Sequence, residues 1–280
     1  LKSAWDKRLY RWRFRQEVEW KLSLNGFLSP AVYRAVAEAA QDAPAGDFLE
    51  IGPGQGASTV ALLFGSRNKS CIVHSIDKFE KSSALDSWSD VGQNVTVLRE
   101  NIASRGFGER HTVVRADDQA VLDQIATQSK LALLFIDADG AVDRDFLQFY
   151  QTLVPGAKVI IDDYSPVVNR RGTVNLRRTS QELESWMLAK GVSSLRDTTP
   201  MGKNLTTWRL TNPLIELGFL EIERVIESTL FARKPARRPL FDLNRLRPVF
   251  ERERELLVDF FEWARAGLDD RDGFSQEIAD

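Results

Sequence analysis

The sequence predicts an α/β fold built on a doubly wound, Rossmann-like, mostly parallel sheet. From residue 47 onward, short apolar runs alternate with helical segments, and a glycine-rich turn joins the first run to the helix that follows it. The runs are apolar on both faces, which is typical of strands covered by helices on each side. Regular alternation of strands and helices along a chain favours parallel strand pairing.

The predicted elements follow from these runs and from their flanking residues. The strands are 47–51, 71–76, 111–115, 131–137 and 157–162. Helices are expected between them, near 57–65, 91–105, 118–128 and 142–153. Ser29 and Pro30 predict a capped helix over 31–40, because serine caps a helix and proline suits its first turn. Aromatic-rich helices are also expected over residues 1 to about 22 and 250–267.

Composition restricts the class of protein. The chain has 280 residues and a net charge of -2, with 43% hydrophobic and 28% charged residues, as in ordinary globular proteins. This balance argues against bulk electrostatic binding to nucleic acid. The one cysteine, Cys71, excludes an intramolecular disulfide framework and is interpreted as a buried thiol. Neither a membrane span nor a secretory signal is visible, so a cytoplasmic location is expected.

The glycine-rich turn is the strongest indication of a ligand. Glu50 ends the first strand, and Gly52, Gly54 and Gly56 alternate with other residues before the next helix. Glycine permits positive φ and close approach of a ligand, and a helix N-terminus attracts anionic groups. The spacing Gly52-x-Gly54-x-x-Ala57 satisfies the relaxed dinucleotide fingerprint, which indicates NAD(P). The spacing Glu50-x-Gly52-x-Gly54-x-Gly56 instead resembles the first motif of the class I S-adenosylmethionine (SAM) methyltransferases, so the two cofactors compete for this turn.

Polar residues follow the second and third strands. Asp77 lies where an acid can accept hydrogen bonds from ribose hydroxyls. Asp117, Asp118 and Gln119 follow the third strand, where a carboxylate could accept a bond from an adenine amino group. The alternative for Asp117 or Asp118 is that it caps the next helix.

Four carboxylates follow the fourth and fifth strands. They belong to Asp137, Asp139, Asp162 and Asp163, and the predicted fold places these strand ends side by side. Unpaired carboxylates raise one another's pKa, and a hard cation such as Mg²⁺ relieves this repulsion. The alternative is a set of ordinary turn and cap aspartates.

Taken in order, these segments resemble one family. The motifs are Phe48-Leu49-Glu50-Ile51-Gly52, Arg99-Glu100-Asn101-Ile102-Ala103, Val113-Val114-Arg115-Ala116-Asp117, Phe135-Ile136-Asp137-Ala138-Asp139-Gly140, Leu153-Val154-Pro155-Gly156 and Val159-Ile160-Ile161-Asp162-Asp163-Tyr164. The series resembles the class I SAM-dependent O-methyltransferases, in particular the metal-dependent branch with the catechol-type and macrocin-type enzymes. The Asp-Asp-Tyr ending is closer to the sugar-modifying group. The resemblance covers roughly residues 26 to 165.

The resemblance implies a seven-stranded sheet and assigns roles to the motif residues. The cofactor-binding set it implies is Glu50, Gly52, Pro53, Gly54, Gln55, Gly56, Ser58, Asp77, Asp117, Asp118, Gln119 and Asp137. Within that set, Glu50 and the glycine turn would hold the methionine part, Asp77 the ribose and Asp117 the adenine. The implied metal ligands are Asp137, Asp162 and Asp163, with Asp137 and Asp139 as catalytic candidates.

The general base departs from the family pattern. Catechol-type enzymes carry a lysine three residues beyond the first metal aspartate, and this chain has Gly140 there. The two histidines, His74 and His111, are interpreted as strand or strand-edge residues. Asp139 is the nearest candidate base; alternatively, a coordinated hydroxyl loses its proton to water.

The region after residue 165 is expected to shape the acceptor pocket. The pocket candidates are Tyr164, Arg170, Arg171, Lys203 and Trp208. Residues 198–208 are interpreted as a hairpin or a lid. The family's final antiparallel pair is assigned to 219–225 with 229–234, and the rival pair is 193–197 with 205–210.

The sequence therefore predicts a SAM-dependent O-methyltransferase, assisted by Mg²⁺, that acts on a hydroxyl of a small sugar, polyol or phenol. Two alternatives remain: a catalytically silent SAM-binding domain of a larger protein, and a NAD(P)-dependent oxidoreductase. The predicted division is an N-terminal helical segment (1–46), a methyltransferase domain (47–235) and a C-terminal helical tail (236–280). A homodimer or attachment to a larger polypeptide stays open, the latter because the first residue is Leu1.

Overall fold

The structure is a computed structural model. It describes residues 26, 28–79, 95–138, 140–164, 202–237, 239 and 242–266. The predicted helix over residues 1 to about 22, the strand 193–197 and the pocket candidates Arg170 and Arg171 lie outside the described residues, as does Asp139.

The described strands form one seven-stranded sheet. They are β1 (Asp47–Ile51), β2 (Val73–Asp77), β3 (His111–Arg115), β4 (Leu131–Ile136), β5 (Leu153–Ile161), β6 (Glu221–Ile226) and β7 (Thr229–Arg233). Their order is β3-β2-β1-β4-β5-β7-β6, with β1 to β5 parallel and β7 antiparallel to both of its neighbours. The predicted fold class is confirmed.

The helices of the described residues lie on both sides of this sheet. They are α1 (Pro30–Asp42), α2 (Ala57–Gly65), α3 (Val95–Ala103), α4 (Gln119–Gln128), α5 (Val142–Phe149), α6 (Gly202–Glu216) and α7 (Leu246–Ala266), with short 3-10 turns at Gly108–Arg110 and Leu243–Arg245. Among the helices that the structure describes, none combines the length and apolar composition of a membrane span.

The final strand pair matches the predicted pair of 219–225 with 229–234. β6 and β7 are antiparallel neighbours at residues 221–226 and 229–233. The other predicted pair, 193–197 with 205–210, is wrong for its second strand, because α6 begins at Gly202. The predicted hairpin or lid over 198–208 is wrong for residues 202–208 for the same reason. Leu210 and Leu214 are one helical turn apart and fully buried, so burial of this face favours a helix over the hairpin that the polar, threonine-rich sequence indicated.

The two faces of β4 explain why its sequence is apolar throughout. Leu133 and Phe135 belong to a core cluster with α1, α2 and α3, whereas Leu134 and Ile136 belong to a second cluster with α5, α6 and α7. Successive side chains of a strand point to opposite faces, so a strand covered on both sides needs apolar residues at every position. Cys71 is buried in the first cluster, as predicted.

The C-terminal helix α7 packs into the second cluster. Phe250 is 2% exposed and joins the core. The Arg254 guanidinium donates to both oxygens of Asp143 on α5, at 2.6 Å each, and Arg209 on α6 pairs with Glu253 at 2.5 Å. The helix thus docks on the layer that covers the sheet, while the division into three parts stays a prediction.

Replacing Phe250 with alanine is expected to lower the free energy of unfolding by about 3 kcal/mol, because it leaves a cavity between α7 and the core. Val258, on the same helix, is 55% exposed, and its replacement with alanine should change stability little. Urea denaturation of both variants measures the difference. Equal midpoints for the two variants would contradict the docking of α7.

Candidate active site

The carboxyl ends of the central strands meet at one edge of the sheet. β1 lies between β2 and β4, and successive connections leave in opposite directions from this point. Ligands of doubly wound sheets bind at such a reversal of strand order. The glycine turn follows β1, and Asp137 and Asp162 directly follow β4 and β5. The fold therefore brings the two principal motifs to one edge.

The glycine turn is pressed against the end of β4 on one side and open on the other. Gly52 has φ 84°, and a Cβ there would lie 1.8 Å from the carbonyl oxygen of Asp137. Gly54 has φ 52°, and a Cβ there would meet no atom within 4 Å. The side chain of Asn101 on α3 holds the turn by donating to the carbonyl of Gln55 at 3.0 Å. The open side at Gly54 is the space available to a ligand.

The N-terminus of α2 completes this open side. Its cap residue is Gly56, and no side chain caps the helix. The Gly56 N–H bonds to the carbonyl of Pro53 at 2.8 Å, which closes the turn. Backbone N–H groups at an uncapped helix start suit an anionic group.

Glu50 is fully buried beneath the glycine turn. Its Oε2 accepts hydrogen bonds from Thr59 Oγ1 on α2 at 2.5 Å and from Ser75 Oγ on β2 at 2.8 Å. Burial raises the pKa of Glu50, and the nearby hydroxyls of Ser58, Thr59 and Ser75 oppose that rise. Oε1 has no hydrogen-bond partner among the described residues. Glu50 thus ties β1 to β2 and to the start of α2, with one oxygen unsatisfied.

Asp77 ends β2 at the same edge of the sheet. Its side chain is half-buried, and Oδ1 accepts the backbone N–H of Phe79 at 3.1 Å. The backbone carbonyl of Asp77 bonds to the N–H of Ala116 at 2.8 Å, which ties the ends of β2 and β3 together. Asp77 thus lies at the same edge of the sheet as the glycine turn, and its role toward the ribose stays a prediction.

The three adenine candidates after β3 each have a local partner. Asp117 is exposed, and both its oxygens accept bonds from Arg115 at 2.9 Å, which lowers the pKa of Asp117. Asp118 caps α4 by accepting a first-turn backbone N–H at 3.2 Å. Gln119 donates to Asp123 at 2.6 Å. The capping alternative therefore holds for Asp118.

Asp137, Asp162 and Asp163 form an acidic cluster at the ends of β4 and β5. One ligand atom of each lies within 4.8 Å of the others. Asp162 is 8% exposed, and Thr229 Oγ1 donates to its Oδ1 at 2.5 Å. Burial and, after it, the charges of Asp137 and Asp163 raise the pKa of Asp162 to about 7. The hydrogen bond from Thr229 partly offsets this rise. The cluster keeps carboxylates together at the cost of their mutual repulsion.

The backbone after β5 adopts an uncommon conformation. Asp163 has φ 55°, a left-handed conformation that few residues other than glycine adopt. The next residue is held on both sides, because the Tyr164 N–H donates to the carbonyl of Ser228 at 2.7 Å and its hydroxyl to Asn212 at 2.9 Å. Such conformations concentrate at functional sites where the surroundings enforce them.

Tyr33 on α1 is a site residue that sequence reasoning missed. It is 4% exposed, and its hydroxyl accepts the backbone N–H of Leu28 at 3.3 Å. Burial raises the pKa of Tyr33, and the charges of Asp137, Glu50 and Asp162 raise it further. The phenol therefore stays protonated at neutral pH. Only the packing of α1 brings it there, so no spacing in the sequence indicates it.

A comparison with known families decides the identity of this fold. Residues 49–164 match the profile of a family described as "Methyltransferase domain". The match spans the glycine turn and the acidic cluster of the chain. The enzyme class expected from the sequence, a SAM-dependent methyltransferase, is confirmed, whereas membership of the metal-dependent branch stays a prediction. No sequence among the curated proteins matches the chain.

Several solved structures are similar to the chain at low sequence identity. Cofactor-bound Rv0187 from MTB is 17% identical, over 76% of this chain and 84% of that one, with a TM-score of 0.50. The methyltransferase PaMTH1 from Podospora anserina, bound to SAH, is 13% identical over 84% and 96% of the two chains, with a TM-score of 0.49. An O-methyltransferase from Bacillus cereus in complex with SAH is 17% identical over 81% and 97%, with a TM-score of 0.48.

The remaining predicted site residues of this methyltransferase are spread over several elements of the fold. Gly140, in place of the family lysine, has φ 81°. His74 lies within β2 and His111 begins β3, as predicted for the two histidines. Of the acceptor-pocket candidates, Tyr164 borders the acidic cluster in sequence, and Lys203 and Trp208 lie on α6.

Proposed function

We propose that this methyltransferase transfers a methyl group from SAM to a hydroxyl of a small sugar, polyol or phenol, with the assistance of Mg²⁺. The observation that carries the proposal is the acidic cluster of Asp137, Asp162 and Asp163 beside the glycine turn. O-methyl transfer needs an activated hydroxyl next to the methyl donor, and this arrangement offers a site for each.

SAM fits the glycine turn and its neighbours. The open side at Gly54 and the uncapped N-terminus of α2 suit the carboxylate of its methionine part. Glu50 Oε1 lacks a partner, and an ammonium group would supply one. Asp77 is proposed for the ribose and Asp117 for the adenine side. When bound, SAM supplies the methyl group on a sulfonium, which is already a good leaving group, so the protein contributes mainly positioning.

Mg²⁺ fits the acidic cluster by charge and by ligand type. Hard cations prefer carboxylate oxygens. Burial and the charges of Asp137 and Asp163 raise the pKa of Asp162, and a cation would offset both effects. When bound, the cation would polarise the acceptor hydroxyl. Thr229 fixes the orientation of Asp162, and the strained backbone at Asp163 is proposed to hold the third carboxylate in place. The base is proposed to be Asp139 or, failing that, water.

A methyl-transfer assay tests the proposal. The full chain is incubated with SAM and a panel that contains a catechol, a free sugar and a nucleotide sugar, and SAH formation is measured with Mg²⁺ or with EDTA. We expect turnover of at least one class, reduced at least about tenfold by EDTA and by Asp162→Ala. Asp42→Asn, at the exposed end of α1 and outside the proposed site, is the control and should retain activity.

A catalytically silent SAM-binding domain is the second candidate. Gly140 in place of the family lysine favours it. SAM binding without transfer to any member of the panel would support this candidate, and detected turnover would exclude it.

A further inference from the structure

The buried carboxylate under the glycine turn is connected to the edge of the sheet by hydrogen bonds. Ser75 Oγ on β2 donates to Glu50 Oε2 at 2.8 Å, and His111 Nε2 on β3 lies 3.0 Å from the same serine oxygen. The three residues therefore form a continuous path across β3, β2 and β1, the strands on one side of the switch point.

The chemistry of serine fixes the direction of this path. A hydroxyl has one proton, and Ser75 donates it in the hydrogen bond to the Glu50 carboxylate, so the serine oxygen is left to accept a hydrogen bond from His111. The histidine is therefore protonated at Nε2. Burial, with the charges of Arg99 and His74, lowers the pKa of His111 to about 4, so at neutral pH the ring is the neutral Nε2–H tautomer.

The path of hydrogen bonds from His111 ends at Glu50 Oε2, which also accepts a hydrogen bond from α2. Thr59 and Ser75 both donate to Glu50 Oε2, which leaves Oε1 without a partner among the described residues. A carboxylate held by one oxygen can rotate unless its donors are themselves fixed. His111 fixes the donor on the β2 side, since without it the Ser75 hydroxyl is free to turn away.

We propose that His111 is a positioning residue for the cofactor, acting through Ser75 on Glu50 and on the start of α2. The inference rests on the proposed function, because it takes the glycine turn as the SAM site. It assigns a role to a histidine that the sequence alone marks only as a strand-edge residue.

A set of variants tests the path through SAH binding, measured by calorimetry on the full chain. His111→Leu is expected to weaken binding about fivefold, the effect of one lost hydrogen bond. His111→Gln, whose amide can donate in place of Nε2–H, should restore binding to within about twofold of the native chain. The matched control is His74→Leu: His74 contacts Thr112 and Asp47, outside the path, and its removal should leave affinity unchanged.

A double-mutant cycle separates this role from general destabilisation. If His111 acts through Ser75, then His111→Leu has no further effect on SAH affinity in a Ser75→Ala background. Additive losses would overturn the inference, and so would native affinity in His111→Leu. Absence of SAH binding by the native chain would instead overturn the proposed function, and the inference with it.

The tautomer provides a second readout that simple packing would not move. Nitrogen-15 NMR of the imidazole rings is expected to show His111 neutral and protonated at Nε2, with ring shifts that change when SAH is added. The Nδ1–H tautomer at His111, or shifts that do not respond to SAH in a chain that binds it, would contradict the proposal.

Discussion

Replacing Gly52 with alanine is expected to abolish the cooperative fold of the sheet domain. The new Cβ would lie 1.8 Å from the carbonyl oxygen of Asp137, a backbone atom that cannot move without separating β1 from β4. The φ of 84° adds further strain for any residue with a side chain. We expect a loss of more than about 4 kcal/mol, seen as insoluble protein or as no thermal transition by circular dichroism.

Gly54→Ala is the matched comparison for this prediction. Its Cβ would meet no atom within 4 Å, so the variant should fold with a loss of about 1 kcal/mol from its positive φ. The added methyl group projects into the open side of the turn, and SAH affinity should fall at least about tenfold. A stable Gly52→Ala variant, or native affinity in Gly54→Ala, would show that the turn is not built as described.

In the absence of divalent cations, replacing Asp162 with asparagine is expected to stabilise the protein at pH 8. The folded pKa of about 7 lies above the ordinary value of 3.8, so the native state binds this proton more tightly than the unfolded chain does. Stability from this group is therefore lost as pH rises from about 4 to about 7. Asparagine carries no charge and avoids a penalty of up to about 4 kcal/mol.

Thermal melts in EDTA at several pH values measure this effect. The advantage of Asp162→Asn should be largest at pH 8 and should shrink as the pH falls toward 4. Mg²⁺ should stabilise the native chain and not the variant, because it offsets the repulsion that the variant lacks. Asp163→Asn, at a less buried position, should show a smaller effect in EDTA. A melting-point difference independent of pH would contradict the origin assigned to the pKa shift.

The parallel half of the fold could be predicted because its signals are local. Apolar runs and glycine spacing mark β1 to β4 and α2 almost to the residue. The predicted start of β5, at residue 157, lies four residues after the observed start at Leu153. The difference arises because Pro155 and Gly156 are typical of a turn. Within β5 they occupy a stretch where the pairing register with β4 shifts, and the strand continues.

The acidic cluster could also be predicted, since the ends of adjacent parallel strands must meet. Other parts of the site depend on packing between distant segments. Tyr33 comes within the electrostatic influence of the carboxylates only because α1 packs on α2, and the bond between His111 and Ser75 depends on the register of β3 against β2. Asp118 and Gln119 form hydrogen bonds with residues of α4 itself. The sequence alone does not distinguish such local hydrogen bonds from contacts with a ligand.

Calorimetric titration of the native chain with SAH, with and without Mg²⁺, tests the central claim most directly. We expect micromolar binding that is tighter with Mg²⁺, and loss of that Mg²⁺ effect in Asp162→Asn. No binding of SAH in either condition would contradict the assignment of the glycine turn as a SAM site.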